Sequence, residues 1–401
     1  MNHRPVILVT PWYGHFAGGA EVATRSLAET LVRRGIAAYV LTTCCRSPYE
    51  SWWTNTLPEG TETINGVSVR RFPVDREGAD LYHEVCHRLI HGQPTTELQQ
   101  GQFVRHSINS SALVQHAEQL SEESVIIALP YTQGLTHSLV AALPNRVVVM
   151  PCLHDEAQAS WVSTQALLAG ARNVFFLTEQ EKTLAIRLFG RRLGRRLVES
   201  PVVGIGVEMP AAIRERVGNP SAWPSVRGQY RLPTTFWVCM GRKEIGKNIV
   251  ELVRYFETYR TAGGTAWLVL LGGGDANLVP RQDGFLDCGI VPEDDKWLIL
   301  SQARGIIHLS ARESFSLALM EAWLCGKPAV VSETCAVTAG HCRQSGGGLP
   351  ITGADEFVGA LRLLDDSDVG EALGAAGRRY VETHYGWDDV LDRVVHGLAR
   401  T

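Results

Sequence analysis

Short apolar runs alternate with amphipathic stretches along the chain, and this alternation predicts the secondary structure. The apolar residues 6–10 are followed by a glycine-bearing loop at 11–19, an amphipathic stretch at 20–34 and a second apolar run at 37–42. Apolar residues repeated every three to four positions predict a helix with one buried face, and short continuous apolar runs predict buried strands. The opening of the chain therefore predicts a β-α-β unit with parallel strands.

The same pattern continues through the first half and starts again in the second. A strand-like run at 236–240 precedes a loop at 241–246, an amphipathic stretch at 247–260 and another apolar run at 266–271. The other strand-like runs lie at 124–129, 146–150, 174–177, 306–309 and 329–332. We predict an α/β protein with two doubly wound parallel sheets, one in each half.

A proline-rich segment separates the two halves. Residues 200–233 have the composition of an interdomain connection, with prolines at 201, 210, 220, 224 and 233. We place the domain boundary after residue 207. Open α/β sheets bind ligands beyond the carboxyl ends of their strands, so two sheets facing each other would hold a ligand in the crevice between them.

Charge and composition exclude several classes of function. The chain has 401 residues, and its 38 Lys and Arg against 42 Asp and Glu give a formal net charge of -4, so nucleic acid is not an expected partner. No segment approaches the ~18 uninterrupted apolar residues of a membrane span, and no signal peptide is evident. Nine cysteines without a C-x-x-C pair favour neither disulfides nor structural zinc. We expect a cytoplasmic protein with reduced thiols.

Residues 310–328 carry the most chemical information, because they combine a predicted helix start with acidic side chains. Ser314 or Ser316 can cap the helix, and the free N–H groups near Ser316 and Leu317 can bind a phosphate. Glu313 precedes the helix and Glu321 lies about two turns into it, so each carboxylate can accept hydrogen bonds from hydroxyls of a polyol. In the alternative interpretation Glu313 is a turn residue and Glu321 pairs with Lys327 or solvent. The apolar surroundings of Glu321 disfavour that alternative, since an unpaired charge there is costly.

Basic residues occupy the loop after the first strand of the second half. Arg242 could hold a diphosphate bidentately, and Lys247 could add a charge from the helix start. Cations in this position would stabilise a departing diphosphate, which gains negative charge in the transition state, without a metal ion or another cofactor. The alternative is a solvated loop with an internal salt bridge to Glu244.

Three residues in the first half are weaker candidates. Gly18 and Gly19 let the backbone approach a ligand, although their loop is not a dinucleotide fingerprint and a nicotinamide dehydrogenase is therefore disfavoured. His154 follows a predicted strand and could bond to a sugar hydroxyl near the reacting carbon. An ordinary strand-to-helix turn and a buried histidine are the respective alternatives.

One dense basic patch runs from Arg187 to Arg196, with apolar residues interleaved. It could contact anionic lipid headgroups or an anionic acceptor. The alternative, a solvated helix face, is favoured by the sequence. The arginines are at 187, 191, 192, 195 and 196, and the apolar residues are Leu188, Phe189, Leu193 and Leu197.

Together these motifs resemble glycosyltransferase family 4, the retaining nucleotide-sugar transferases with a GT-B fold, and especially its bacterial members. That resemblance implies two Rossmann-like domains facing each other across a cleft. Residues 1–207 would bind the acceptor, 208–380 would bind the donor, and 381–401 would form a helix packing back on the N-terminal domain. The motifs are Gly18-Gly19-Ala20-Glu21, Asn65-Gly66-Val67, His154-Asp155, 204–208, Gly241-Arg242, Lys247-Asn248, 272–274, and Glu313 with Glu321.

The resemblance also implies a role for each candidate residue. Glu313, His154, Arg242 and Lys247 would be the catalytic set, in which the two cations hold the diphosphate and the other two residues contact the sugar. In the remaining donor contacts, Glu321 would bind the nucleotide ribose, and the amides of Ser316 and Leu317 would bind the distal phosphate. Gly18 and Gly19 would lie against the diphosphate, and the loop at Ile290 would contact the base. Many family members have glycine where this chain has Ser316, so the resemblance does not identify the donor sugar.

The function expected from this set is transfer of a sugar from a nucleoside diphosphate sugar, of UDP or GDP type, to an acceptor hydroxyl with retained anomeric configuration. The acceptor could be a glycan, a lipid-linked sugar or a small molecule, as in the synthesis of surface polysaccharides, glycolipids or natural-product glycosides. The alternatives are a GT-B sugar-nucleotide epimerase or hydrolase, and a noncatalytic nucleotide-sugar binding protein.

Overall fold

The computed structural model describes residues 4–14, 18–48 and 54–399. The chain folds into two compact units: the second is Val207–Gly386, and the first comprises the chain up to Gly206 together with the residues from Trp387 onward. Part of the predicted glycine-bearing loop, 15–17, and the last two residues of the predicted C-terminal helix lie outside the described residues.

A mostly parallel sheet forms the centre of the first unit. Among the described residues its strands lie in the order β3-β4-β2-β1-β5-β6-β7, and only the pairing of β3 with β4 is antiparallel. Because β1 and β2 are parallel neighbours, the predicted β-α-β opening is confirmed. The strands are β1 (Val6–Val9), β2 (Ala38–Thr43), β3 (Gly60–Ile64), β4 (Val67–Phe72), β5 (Val125–Ala128), β6 (Val147–Val149) and β7 (Asn173–Val174).

The antiparallel hairpin of β3 and β4 was not predicted from apolar runs. Nearly all of β3, whose sequence is GTETI, is exposed, so it has no apolar run that would reveal it. Asn65 and Gly66 join the two strands with φ of 51° and 83°. Positive φ at both central residues is the geometry of the tight hairpin turn that Asn-Gly favours.

Helices of the first unit cover its sheet and close its core. Helix α1 buries Ala23, Leu27 and Leu31 on one face, as its 3.6-residue period predicts. Ile7, Ile126 and their neighbours on the central strands are fully buried. The helices that precede the second unit are α1 (Gly19–Arg33), α2 (Ala79–Ile90), α3 (Glu97–His106), α4 (Ser111–Glu118), α5 (Gly134–Ala142), α6 (Val162–Gly170) and α7 (Glu179–Glu199).

An all-parallel sheet forms the centre of the second unit. The described strands lie in the order β10-β9-β8-β11-β12-β13. Parallel strands covered by helices on both faces are apolar at consecutive positions, which is why several of them could be found in the sequence. The strands are β8 (Phe236–Met240), β9 (Trp267–Leu271), β10 (Phe285–Gly289), β11 (Ile306–His308), β12 (Ala329–Ser332) and β13 (Gly348–Ile351).

The proline-rich segment predicted as a connection contains two helices of the second unit. Pro210 and Pro224 stand at helix starts, where a missing N–H costs little. Met209 and Ile213 pack against Trp297, which anchors the segment to the unit. The helices are α8 (Ala211–Gly218), α9 (Trp223–Tyr230), α10 (Ile249–Thr261), α11 (Glu293–Gln302), α12 (Leu317–Leu324), α13 (Ala336–Ser345), α14 (Ala354–Leu363) and α15 (Ser367–His384).

The last helix, α16 (Trp387–Ala399), belongs to the first unit. Its Trp387 ring lies directly over Gly206, where any side chain would collide with it, and Arg393 Nε donates to the Val203 carbonyl at 2.9 Å. The expected C-terminal segment started at residue 381, which lies inside α15. The buried Val381 keeps that residue in the second unit, so the change of unit comes after Gly386.

Candidate functional site

The segment from β11 to α12 combines a buried strand end, a loop with Glu313, and a helix start. Ser316 is the N-cap residue, as predicted, but its side chain makes no capping hydrogen bond. Its backbone has φ 73° and ψ 78° instead of the extended geometry in which serine usually caps, and its Oγ is buried without a partner among the described residues. The predicted side-chain cap is therefore wrong.

The first turn of α12 presents backbone N–H groups that have no partner within the helix. Met320 donates the first bond of the turn, to the Ser316 carbonyl at 3.4 Å. The preceding N–H groups, including that of Leu317, have no hydrogen-bond partner among the residues that the structure describes, and the helix dipole favours an anion there. Binding of a phosphate by the N–H groups of Ser316 and Leu317 stays a prediction. The start of α12 provides the hydrogen-bond donors that such a contact needs.

Glu313 accepts hydrogen bonds from two side chains that other elements bring to it. Lys247 Nζ lies 2.6 Å from Glu313 Oε1, and His308 Nε2 lies 2.9 Å from the same oxygen. Lys247 comes from the loop after β8 and His308 from the end of β11. Because β8 and β11 are neighbouring parallel strands, their carboxyl ends meet at one edge of the sheet.

This arrangement fixes the charge of Glu313. Burial by itself would raise the pKa of Glu313, but Lys247 and the hydrogen bond from His308 outweigh burial and hold that pKa below its ordinary value. Burial lowers the pKa of Lys247, and the opposing charge of Glu313 turns this into a net rise. Both groups are therefore ionised near neutral pH, and Glu313 can accept hydrogen bonds but not donate them.

Arg242 extends the charged cluster toward solvent. Its Nη1 lies 2.8 Å from Glu244 Oε2, and both side chains are about one third exposed. The salt bridge of the solvated-loop alternative is thus present. The charge of Glu244 also helps to raise the pKa of Lys247, so the Arg242–Glu244 pair and the Lys247–Glu313 pair influence each other electrostatically.

Lys243 and the glycines after β9 hold this loop in place. Lys243 is 3% exposed, and its Nζ contacts the Gly272 carbonyl and lies 3.1 Å from Asp287 Oδ1. A Cβ on Gly272 would lie 2.1 Å from the Gly241 carbonyl oxygen, so only glycine permits this packing. The glycine triplet at 272–274 therefore has a structural reason that is independent of any ligand.

Glu321 forms a second, partly buried ion pair in the same unit. Its Oε1 lies 2.8 Å from Nζ of Lys296 on α11, and Lys296 also pairs with Glu293 at 2.7 Å. Burial raises the pKa of Glu321, and Lys296 opposes that rise. The alternative partner considered from the sequence was Lys327, and Lys296 was missed. Ile290, in the loop before α11, is 83% exposed.

Three predicted site residues belong to the first unit. Gly18 is the N-cap of α1, and Gly19 begins that helix, with no described residue within 4 Å of where its side chain would stand. His154 follows β6, and its Nδ1 lies 3.8 Å from Glu156 Oε1. Tyr131 donates to the same Glu156 oxygen at 2.7 Å. Tyr131 and Glu156 were missed in the sequence, because their meeting depends on two separate loops.

A buried carboxyl group fixes the backbone next to His154. Glu181, 1% exposed, accepts hydrogen bonds from the N–H groups of Leu153 and Leu177, each at 2.5 Å. Burial raises the pKa of Glu181 to about 8, against the lowering effect of these bonds. The loop that carries His154 is therefore tied to the start of α7.

Solved glycosyltransferases share this architecture over their whole length. A UDP-forming α,α-trehalose-phosphate synthase from Burkholderia xenovorans, in complex with glucose-6-phosphate, matches with a TM-score of 0.74 and 13% identity over 98% of this chain and 100% of its own. Anabaena HepE, in complex with UDP and glucose, matches with a TM-score of 0.67 and 16% identity over 100% of both chains. Sucrose-phosphate synthase from Thermosynechococcus elongatus matches with a TM-score of 0.65 and 17% identity over 99% of this chain and 98% of its own.

The chain has the GT-B fold. No protein-family model matches it, and a search of curated proteins found no match. Identities this low establish the fold alone. In the second unit of this GT-B chain, Lys247 and Glu313 are in contact. Arg242 lies in the same loop as Lys247, and the N-terminus of α12 follows Glu313 in the chain. These groups lie at the edge of the sheet where α/β proteins bind ligands.

Proposed function

We propose that this protein is a retaining glycosyltransferase of the family 4 type, which moves a sugar from a nucleoside diphosphate sugar to an acceptor hydroxyl. The observation that carries the proposal is the ionised, largely buried Glu313, held by Lys247 and His308 beside the N-terminus of α12. A cation, a phosphate-binding helix start and an anionic acceptor for hydroxyls are the groups that a sugar diphosphate requires. The complexes of similar folds with UDP, glucose and glucose-6-phosphate support a nucleoside diphosphate sugar as the donor and a sugar as the acceptor. A donor of the UDP or GDP type is what the resemblance to family 4 implies.

Each member of the cluster has bonding capacity left for such a donor. The Lys247 ammonium has three donors, and Glu313 uses one of them. Both hydrogen bonds to Glu313 reach Oε1, so Oε2 can accept from hydroxyls of the donor sugar. Arg242 and the amides at Ser316 and Leu317 would complete the diphosphate contacts.

The other predicted contacts complete the donor site. Glu321 would accept hydrogen bonds from the ribose, and the exposed Ile290 loop would meet the base. In the first unit, Gly18 and Gly19 would approach the diphosphate, and His154 would contact the sugar.

The reaction we propose takes place on one face of the sugar. The bond between the anomeric carbon and the phosphate oxygen breaks, and the acceptor oxygen bonds to that carbon from the same side. The departing phosphate oxygen takes the acceptor's proton, since Glu313 is occupied by two donors and its low pKa makes it a poor base. Arg242, Lys247 and the α12 amides would stabilise the charge of the departing diphosphate, so that no metal ion is needed.

The place of action that we propose is the cytoplasm, with an electrostatic contact to anionic membranes through Arg187 to Arg196. No helix within 4–14, 18–48 and 54–399 is long and apolar enough to cross a membrane. Phe189 and Leu197 are buried in the core of the first unit, and Leu188 and Leu193 pack against it. The interleaved apolar residues are thus unavailable for insertion into lipid, which leaves the arginines for the contact.

The test measures donor binding and product formation separately. Thermal-shift screening with uridine, guanosine, adenosine and thymidine diphosphates and their sugars, in EDTA, should identify one stabilising donor. With that donor, Glu313→Gln should reduce transfer at least 100-fold while nucleotide diphosphate binding changes less than about fivefold. Arg254→Gln, which removes an exposed charge of α10 in the same unit, is the control and should leave both unchanged.

Three outcomes would contradict the proposal. Release of free sugar or of an epimerised nucleotide without acceptor would favour a hydrolase or epimerase. Unchanged turnover in Glu313→Gln would remove the assigned role of this carboxylate. Binding of the donor without turnover by any tested acceptor in the wild type would favour a noncatalytic binding protein.

A further inference from the structure

A cationic groove lies in the first unit, and none of the residues assigned to the candidate donor site lines it. It has a volume of about 1120 Å³ and is bounded by the start of β7, by α7 and by the end of α16. Five cationic side chains line it. Among the described residues, Glu199 is the one carboxylate that lines it. The cations are Arg172, Lys182, Arg192, Arg195 and Arg196.

A bend in α7 brings these charges together. Lys182 Nζ donates to the Ser200 carbonyl at 2.8 Å although the two residues are 18 positions apart. In a straight helix they would be separated by about 27 Å, at 1.5 Å per residue. Helix α7 therefore folds back on itself, and Gly190 and Gly194 lie within the bent stretch. Its two arms place Lys182 and the arginines around one space.

Arg196 is the groove cation whose charge is least compensated, since no carboxylate pairs with it within the described part of the chain. Its Nε and Nη2 are buried and have no hydrogen-bond acceptor among the described residues. Burial lowers the pKa of Arg196, since it disfavours the charged form. Arg195 pairs with Glu199, and Arg192 donates a hydrogen bond to the neutral Gln165 amide oxygen. A guanidinium desolvated in this way favours an anion nearby.

The groove is separate from the edge of the sheet where His154 lies. Arg172 precedes β7, whereas the loop with His154 follows β6. Because β6 and β7 are parallel, the start of one and the end of the other are at opposite edges of the sheet. The cations of the groove are therefore not an extension of the sugar-binding residues proposed for the first unit.

We propose that this groove binds an anion that carries phosphate groups. Several converging guanidinium groups match the geometry and the multiple charge of phosphate. The volume exceeds what a single phosphate fills and leaves room for an attached organic group. A soluble phosphate ester or polyphosphate and an anionic phospholipid headgroup share this chemistry. The proposal holds whether or not the protein transfers sugars.

The test uses pyrophosphate and vesicles as separate probes of the full-length protein. Calorimetric titration with pyrophosphate is carried out in the Lys247→Ala background, which weakens binding at the candidate donor site. Sedimentation with phosphatidylglycerol vesicles, compared with neutral phosphatidylcholine vesicles, tests the lipid source. The variants are Arg196→Gln and Arg192→Gln, and the control is Arg105→Gln, which removes an exposed charge of α3 in the same unit and does not line the groove.

We expect Arg192→Gln and Arg196→Gln each to weaken binding of at least one probe about tenfold or more, and Arg105→Gln to change it less than twofold. Pyrophosphate binding alone identifies a soluble ligand, and vesicle binding alone identifies a headgroup. Arg192→Gln changes an exposed side chain, so it remains informative if Arg196→Gln fails to fold. Absence of binding to both probes, or equal losses in the groove variants and in Arg105→Gln, would overturn the proposal.

Discussion

The contact between Lys247 and Glu313 makes a quantitative prediction about stability. Lys247→Met keeps most of the apolar stem and removes the ammonium, which leaves Glu313 buried with His308 as its remaining hydrogen-bond donor. Loss of one partner of a fully buried pair costs about 3–5 kcal/mol. Lys247 is 29% exposed and Glu313 12%, so water compensates in part. We expect a loss of about 1–3 kcal/mol in the free energy of unfolding at pH 7.5.

The same variant should change how stability depends on pH. In the wild type the folded pKa of Glu313 is lowered, so its contribution is present above the unfolded pKa of about 4.3 and is lost only as the pH falls through the folded pKa. Without Lys247, burial dominates and the folded pKa rises above the unfolded value. Ionised Glu313 then destabilises the variant at neutral pH, and protonation relieves this as the pH falls. The deficit of Lys247→Met should therefore shrink between pH 7.5 and pH 5.

Urea denaturation at both pH values measures the effect. A double-mutant cycle with Glu313→Gln should give a coupling of about 1–2 kcal/mol at pH 7.5 and less at pH 5. Arg254→Met removes one member of an exposed pair and should cost less than about 0.5 kcal/mol at either pH. A coupling near zero, or a deficit of Lys247→Met that is the same at pH 7.5 and pH 5, would refute the reasoning.

Three further substitutions test other parts of the second unit. Ser316→Gly should raise the free energy of unfolding by about 0.5–1 kcal/mol in urea denaturation, since glycine adopts φ 73° without strain; a loss of stability would show that the serine side chain is needed. Gly272→Ala should lower the melting temperature by several degrees, because its Cβ would meet the Gly241 carbonyl, and an unchanged melting curve would contradict this packing. Lys296→Met should weaken nucleotide diphosphate binding roughly tenfold in calorimetry, because Glu321 loses the cation that opposes its protonation. The loss of affinity should be larger at pH 6 than at pH 8, and equal affinity of the variant at both pH values would argue against a role for Glu321.

Strands and helices could be predicted wherever their buried positions form a recognisable pattern of apolar residues in the sequence. The apolar runs at 6–10 and 236–240 correspond to β1 and β8, which are covered on both faces. The exposed strand β3 has no such run, and α8 and α9 were hidden by prolines that are compatible with helix starts. Prediction thus failed where the local sequence is polar or where proline has two interpretations.

The residue types of the candidate site were visible in the sequence, but their partners were not. Glu313 and Glu321 stand out as acids in or beside apolar segments, and each needs a compensating cation. The cations that meet them, Lys247 and Lys296, are 66 and 25 positions away in the chain. His308 had a weak signal, since it is a polar residue at the end of an apolar run.

The order of residues was enough to predict the alternation of strands and helices, the two-sheet α/β class and the residues capable of binding a sugar diphosphate, because periodicity and residue chemistry are local properties. The folded chain was needed to learn which groups meet: Lys247 and His308 on one oxygen of Glu313, Lys296 on Glu321, and the arginines gathered by the bend of α7. Strand order and helix bending control such contacts over long sequence separations. Since pKa values and unpaired charges depend on distance in space, they follow from the fold and cannot be found in local patterns alone.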